Sequence, residues 1–393
     1  MKTKKLTSKS GGEVGTNPAE RIVVQTLFMD KYLALRNTDY QYYQELQRME
    51  EHSPLRFRSC PMAFPNLIAN ASVLIDWTLR HIGLRNAIYR LGLWSQVRRR
   101  IWVPRSLARD CDVIYSNYLL PVNRLQTPFV LEWDFSPYGL EEEWSRMCRI
   151  LDTPTSVLER SAAIVVRHGL SRDELLRQCP AAEDKCWVVP VYIPDLEVIG
   201  ESAMTHKLRS LGRGDPLEVL FVGHAALRKG LPALVEACEM AVAEGLLIRL
   251  TVVSSFRDGR VRLPPTVRLL SNLPHDDVLR LMEKAHIFAM PSRVEAVGKA
   301  FYEAIASGCA LIYPNTNPQR YLFKGFGEAV DPREPKEILS ALRLLADPVK
   351  VERAARAGRV HFASRCYHEI VRGQYRLLFA EASGRRRGES ADA

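Results

Sequence analysis

Along most of the chain, short continuous or β-branched apolar runs alternate with stretches whose apolar residues recur every three to four positions. The runs predict strands at 22–28, 113–116, 129–133, 163–167 and 186–190 in the first half. In the second half they predict strands at 217–222, 247–253, 287–290 and 310–313. Helical spacing links Leu67, Ala71, Leu74, Ile75, Thr78 and Ile82, and Ser171 with Glu174 three residues on reads as a capping box. Pro232 sits in the first turn of a helix whose apolar face is Leu231, Leu234, Val235, Cys238 and Val242. Asp276 and Asp277 open another, with Val278, Met282 and Ala285 on one side, and a helix over 298–307 is closed by Gly308. Strands alternating with helices predict an α/β fold of parallel sheets covered by helices.

The alternation lapses between Leu196 and Pro216, where Gly, Ser and Arg gather. This predicts a linker over 197–214, joining a domain at 19–196 to a second at 215–360. Residues 1–18 and 383–393 are polar and are expected to be disordered. Two Rossmann-like, doubly wound sheets joined in this way place a cleft between the carboxyl ends of their strands, where ligands of this architecture bind.

Composition narrows the classes. Of 393 residues, 47% are apolar and 25% charged, which excludes wholesale disorder, a collagen-like repeat and a disulfide-stapled miniprotein. No run of 18 apolar residues occurs, so a membrane-spanning helix is not expected, and Met1–Gly12 lacks the apolar stretch of a signal peptide. The reading is cytoplasmic. The eight cysteines include no CxxC pair and the nine histidines no HExxH, so neither bridges nor a metal site are expected.

The net charge of +10 is unevenly placed. Residues 77–109 contain no acid but hold Arg80, Arg85, Arg90, Arg98, Arg99, Arg100, Arg105 and Arg109, interleaved with Trp77, Tyr89, Trp94 and Trp102. Three readings fit: an anionic membrane surface on the inner face of a bilayer, a nucleic-acid backbone, or a solvated helix face. No recognised nucleic-acid-binding module accompanies the charge, so nucleic acid is not an expected partner.

Two loops are candidates for chemistry. Gly223 follows the strand at 217–222, and His224–Gly230, containing Arg228 and Lys229, leads into a helix. Glycine, paired cations and a helix start suit a phosphate group, although Arg–Lys before a helix is also ordinary surface. The second loop, Pro291–Gly298, carries Glu295 and precedes the helix with Lys299 and Glu303. Its bland reading is an i,i+4 ion pair of Lys299 with Glu303 and a loop carboxylate at Glu295. Asp110–Cys111–Asp112 has the spacing of a metal-binding DxD, but it opens a strand at the end opposite the ligand crevice and reads as a strand cap.

The segments VLFVGHAALRKG (219–230), MPSRVEAVGKAFYEAIASGCALI (290–312) and FGEAVDPREPKEILSALRLLADP (326–348) resemble the donor domain of the retaining glycosyltransferases of family 4, which have the GT-B fold. The likeness covers about 215–360. It implies a donor site of Gly223, His224, Arg228, Lys229, Glu295, Gly298, Lys299 and Glu303. In it Lys229 neutralises a diphosphate, Glu303 holds a ribose and Glu295 contacts the transferred sugar. It also implies a helix over 361–382 packed back on the first domain. The co-substrate would be a nucleotide sugar, without a metal, and the acceptor a glycan or lipid-linked sugar. Arg98, Arg99, Arg100, Trp94 and Trp102 would then form the membrane or acceptor surface.

Departures from the family pattern matter too. His224 replaces the usual Arg, the Gly-rich loop after the first strand is missing, and the first-domain His has no counterpart in VLEWDFSPYG. Asp134 or Glu132 stands nearest that position, and either carboxylate is a candidate to orient the acceptor hydroxyl, Asp134 as the catalytic choice. A non-catalytic sugar-nucleotide-binding protein on the same scaffold is the competing class. The two histidine departures point toward it, and the joint presence of Lys229, Glu295 and Glu303 points away.

Overall fold

The computed structural model describes residues 21–28, 44–61, 100–101, 103, 105–108, 110–117, 119–121, 123–133, 155–211, 213–255 and 261–384. Expectations for residues 1–18, for the helical pattern over 67–82, for Trp94, Arg98, Arg99, Trp102 and Asp134, and for most of the tail lie outside them. Arg100 is described only as part of a short strand.

Strands β1 (Ile22–Phe28), β2 (Leu55–Pro61), β4 (Val113–Asn117), β6 (Phe129–Glu132), β7 (Ala163–Val166) and β8 (Cys186–Val188) form an all-parallel sheet in the order β2-β1-β4-β6-β7-β8. The short strands β3 (Arg100–Ile101) and β5 (Leu120–Pro121) pair with each other apart from it. The second sheet contains β9 (Leu217–Val222), β10 (Ile248–Val253), β11 (Arg268–Leu270), β12 (Ile287–Ala289), β13 (Ala310–Pro314) and β14 (Gly327–Val330). Its order is β11-β10-β9-β12-β13-β14, again all parallel. That is the order of a doubly wound nucleotide-binding sheet. Direction reverses between β9 and β12, so the loops leaving these two strands flank the crevice.

The central strands form where both faces are covered. Every residue of β4, β6, β7 and β13 is buried, as parallel strands covered on both faces should be, and the burial extends to the polar ends Ser116, Asn117 and Glu132 of β4 and β6. Among the described residues, the α-helices longer than four residues are α1 (Thr155–Arg160), α2 (Gly169–Gln178), α3 (Glu201–Leu211), α4 (Leu231–Ala243), α5 (His275–Lys284), α6 (Lys299–Ala306), α7 (Pro335–Leu345), α8 (Pro348–His361) and α9 (His368–Ala382).

Two expectations need correction. Residues 201–211 are not linker but helix α3, whose Met204 and Leu208 are buried in the second core. Lys207 broke the apolar pattern, yet it too is buried: its Nζ donates to Ser307 O at 2.9 Å and Met282 O at 3.4 Å, satisfying carbonyls at the ends of α6 and α5. Nor is Ser171 the cap of α2. His168 is the N-cap, its Nδ1 accepting from Ser171 N at 3.1 Å, and burial depresses this imidazole to about 4, which keeps it a neutral acceptor.

Asp112 caps a strand as expected, its Oδ2 accepting from Val23 N at 2.7 Å. The helix expected over 361–382 is divided: α8 ends at His361, a π-turn (Phe362–Cys366) intervenes, and α9 starts at His368. Val371, Tyr375, Leu378 and Phe379 of α9 are buried among Val24, Phe57 and Tyr115 of the first sheet. Phe379 meets Phe57 and Tyr115 edge-on, with centroids 5.9 and 5.6 Å apart. The chain thus crosses between the units at two places. Val189 and Tyr192 belong to the first core but Val191 and Ile193 to the second; later, Cys366 lies in the second and Val371 in the first. Tyr367 Oη donates to the Glu197 carboxylate at 3.1 Å and ties the crossings together.

A buried ion pair anchors the first unit. Glu132 and Arg167 are both buried; Arg167 Nε donates to Glu132 Oε1 at 2.9 Å, and Tyr115 Oη donates to Oε2. Arg167 Nη1 also reaches Tyr375 Oη at 2.9 Å and Pro190 O at 3.2 Å. Glu132 is therefore engaged inside the core and is not the exposed carboxylate that orientation of an acceptor hydroxyl requires. Among the described residues, no helix is long and apolar enough to cross a membrane.

Candidate active site

The loop after β9 begins at Gly223, over which Lys229 folds back: a Cβ there would lie 2.3 Å from Lys229 Cδ. A side chain at 223 would have to push the Lys229 chain out of that position. Gly230 is left-handed (φ 76°) and caps α4, and a Cβ on it would meet Pro291 O at 1.9 Å. The loops after β9 and β12 therefore touch backbone to backbone, and Arg293 N donates to Arg228 O at 2.8 Å.

This contact brings three expected residues together. Glu295 Oε2 lies 3.3 Å from Arg228 Nη1 and 3.5 Å from Lys229 Nζ. Arg228 also donates to Val294 O, and Lys229 Nζ lies 3.1 Å from Met290 Sδ. Gln319 Nε2, fully buried, donates to Glu295 O at 3.1 Å and to Ala296 O, fixing the loop that carries the carboxylate. Lys229 and Glu295 side chains are only 16% and 15% exposed, so charge attraction here is weakly screened. Gly298 (φ 71°) caps α6 beside them; a Cβ there would crowd Phe301 and Glu295 at 2.8 and 3.1 Å. Phe301 N donates back to the N-cap carbonyl Gly298 O at 3.0 Å, and the start of α6 beside Glu295 is the positive end of that helix.

The remaining expected residues lie around this centre with partners the sequence did not announce. His224 is exposed, its Nδ1 lying 2.8 Å from Ser255 Oγ, while Ser254 Oγ donates to Gly223 O at 2.6 Å. Lys299 and Glu303 do not pair with each other. Lys299 forms an ion pair with Glu45 of the first unit, and Glu303 Oε1 lies 3.1 Å from Nε2 of His275, at the start of α5. The hydrogen bond that the Glu303 carboxylate accepts raises the His275 pKa from its ordinary value against the opposing effect of burial, with the charges of Glu303, Asp276 and Glu45 acting in the same upward sense. A second contact between the units sets Tyr321 Oη against Gly169, where a Cβ would lie 2.8 Å away.

A cavity of about 840 Å³ lies at the other end of the second sheet, by the amino ends of β9, β10 and β11. Its polar groups serve the scaffold: Lys207 as described, and His286, whose Nδ1 accepts from Glu218 N at 3.0 Å and whose Nε2 meets Ser210 Oγ at 2.8 Å. Among the described residues no three His, Cys, Asp or Glu side chains converge as metal ligands.

Two doubly wound parallel sheets, with charged loops at the switch point of the second, define the GT-B architecture. Residues 205–361 match the family described as glycosyl transferases group 1. A glycogen synthase of Mycobacterium tuberculosis is 27% identical over 170 residues, and the match spans 39% of this chain and 39% of that relative. Solved structures share the fold. Sucrose-phosphate synthase from Thermosynechococcus elongatus aligns with a TM-score of 0.58 at 17% identity, over 92% of this chain and 100% of that one. Anabaena HepE, solved with UDP and glucose, aligns with a TM-score of 0.56 at 12% identity, over 92% and 100%.

Proposed function

We propose that this chain is a retaining glycosyltransferase of family 4 that moves a sugar from a nucleoside diphosphate to an acceptor hydroxyl. The carrying observation is the Glu295 carboxylate held by Arg228 and Lys229 between the loops of β9 and β12, with Glu303 on the second turn of α6. A departing diphosphate gathers negative charge, and fixed cations and helix amides stabilise that charge more in the transition state than in the bound donor. In this reading the bond from the sugar's anomeric carbon to the phosphate oxygen breaks with its electron pair going to the diphosphate, beside Lys229 and the α6 amides. The acceptor oxygen bonds to the same carbon from the same face, and its proton passes to the released diphosphate. Glu295 binds the transferred sugar, and Glu303 the ribose. Arg228 and Lys229 are drawn from Glu295 toward the anion when it arrives, so these cations do the work without a metal.

Thermal shift with UDP, ADP and GDP tests the donor site. One of them at about 100 times its Kd should stabilise the protein by about 2.7 kcal/mol, and Glu303→Ala should lose most of that effect. No stabilisation by any of the three would count decisively against the reading. Binding without turnover in acceptor extracts would favour the non-catalytic alternative. NMR of the linkage formed checks retention.

For the acceptor we propose a lipid-linked or surface-polysaccharide glycan, with the arginine- and tryptophan-rich residues 77–109 docking the enzyme on an anionic membrane face. Co-sedimentation with liposomes should rise with their anionic lipid content and fall with salt. Binding indifferent to both would refute electrostatic docking.

A further inference from the structure

Resting on the ribose reading of Glu303, we infer that His275 is a positioning residue that sets the Glu303 carboxylate for the nucleotide and couples nucleotide affinity to the charge of its own imidazole. The pair spans the lip of the crevice: the Glu303 side chain is 13% exposed and that of His275 58%. Its hydrogen bond, at 3.1 Å, engages Oε1 of Glu303. A carboxylate has about four lone-pair sites on its two oxygens, so Oε2 and the rest of Oε1 stay able to accept from a ribose diol. The two helices that carry the pair are fixed by their own burial, α5 through Val278 and Met282 and α6 through Phe301, Tyr302 and Ile305. The Glu303 rotamer is then set by the imidazole rather than by solvent.

The charged groups around His275 favour the imidazolium. Glu303 lies on α6, Asp276 is its neighbour on α5, and Glu45 reaches in from the first unit. Lys299, the cation on the same face of α6, is paired with Glu45. The helix start at α5 opposes a positive charge, but Asp276 and Asp277 in that first turn offset it. An imidazolium both grips Glu303 more firmly and adds a cation to the rim of a site that takes a dianionic diphosphate. A dianion arriving there raises the imidazole pKa further, so by linkage the nucleotide binds more tightly below that pKa than above it.

Calorimetric titration of the intact chain with UDP-glucose, ADP-glucose and GDP-mannose, from about pH 5.5 to 8.5, tests this. These diphosphate diesters keep constant charge over that range, so the titration reads the protein. The donor that binds should weaken about threefold to tenfold as pH rises. His275→Gln, which keeps a neutral donor, should weaken less across the same range than wild type, with an acid-side affinity nearer the wild-type alkaline value. His275→Ala should be weaker at every pH, with melting temperatures close to wild type for both variants because the side chain is exposed. Parallel wild-type and Gln profiles, or affinity rising with pH, would overturn the role of His275 while leaving the nucleotide site standing. Failure of all three donors to bind at any pH would overturn the nucleotide reading and this inference with it.

Discussion

Lys229→Ala is expected to lower sugar-transfer kcat/KM by about 10²–10³-fold and to remove the thermal stabilisation given by a nucleoside diphosphate. The expectation follows from where the ammonium lies. Folded over Gly223, it is held 3.5 Å from Glu295 in a crevice where neither side chain is more than 16% exposed. Without it, diphosphate charge would be met by Arg228 and the α6 amides alone, and Glu295 would lose one of its two cations. Lys229→Arg should recover only part of this, because a planar guanidinium fork does not reproduce the compact point charge of the ammonium. Steady-state kinetics with calorimetry separates the effects: loss mainly in kcat marks charge stabilisation in the transition state, whereas loss confined to KM marks uniform binding. Unchanged kcat/KM would remove Lys229 from the mechanism.

Arg167→Ala is expected to cost about 3–5 kcal/mol of stability, the largest fold effect among these predictions. The guanidinium is buried, so its removal leaves the Glu132 carboxylate uncompensated and takes the donor from Tyr375 Oη and Pro190 O. Denaturant unfolding should show an earlier loss of the first unit and of α9, which is packed on it. Pairing Arg167→Met with Glu132→Gln should recover much of the loss, since a pair replaced together leaves no lone charge. A double variant as unstable as the single one would mean that lost packing, not the orphaned carboxylate, sets the cost.

The sequence was informative where a segment's burial was uniform. The central strands read plainly because Leu217, Val219, Leu220 and Phe221, or Ala310 to Tyr313, are buried throughout. Two edge strands escaped that test, although the edge strand β8 was expected at 186–190. In β2, Arg56 and Arg58 alternate with the apolar positions, and β11 is three residues with both Arg268 and Leu269 exposed. Helix α3 was missed because a buried position is occupied by Lys207, whose charge is used to satisfy helix ends, which periodicity counts as polar.

At the site, Arg228, Lys229, Glu295 and Glu303 were singled out by the family resemblance; on local pattern alone Arg228–Lys229 also read as ordinary surface, Glu295 as a loop carboxylate and Glu303, on α6, as a partner of Lys299. Their partners in the fold were not legible. His275 lies 28 residues from Glu303, and Glu45 lies 254 from Lys299, so only the fold brings them together. Gln319, a buried amide holding the Glu295 loop, belongs to a segment with no distinctive local pattern.

The paired passages of the polypeptide from one unit to the other have a mechanical outcome. A lone tether would let the halves swivel freely. Two neighbouring tethers, at 189–193 and 366–371 and joined by Tyr367 and Glu197, act as a pivot with one easy axis. Any closing of the halves about these tethers is expected to bring together, like the pages of a book on its spine, the faces already in touch: the one bearing Lys299 and Tyr321 and the one bearing Glu45 and Gly169.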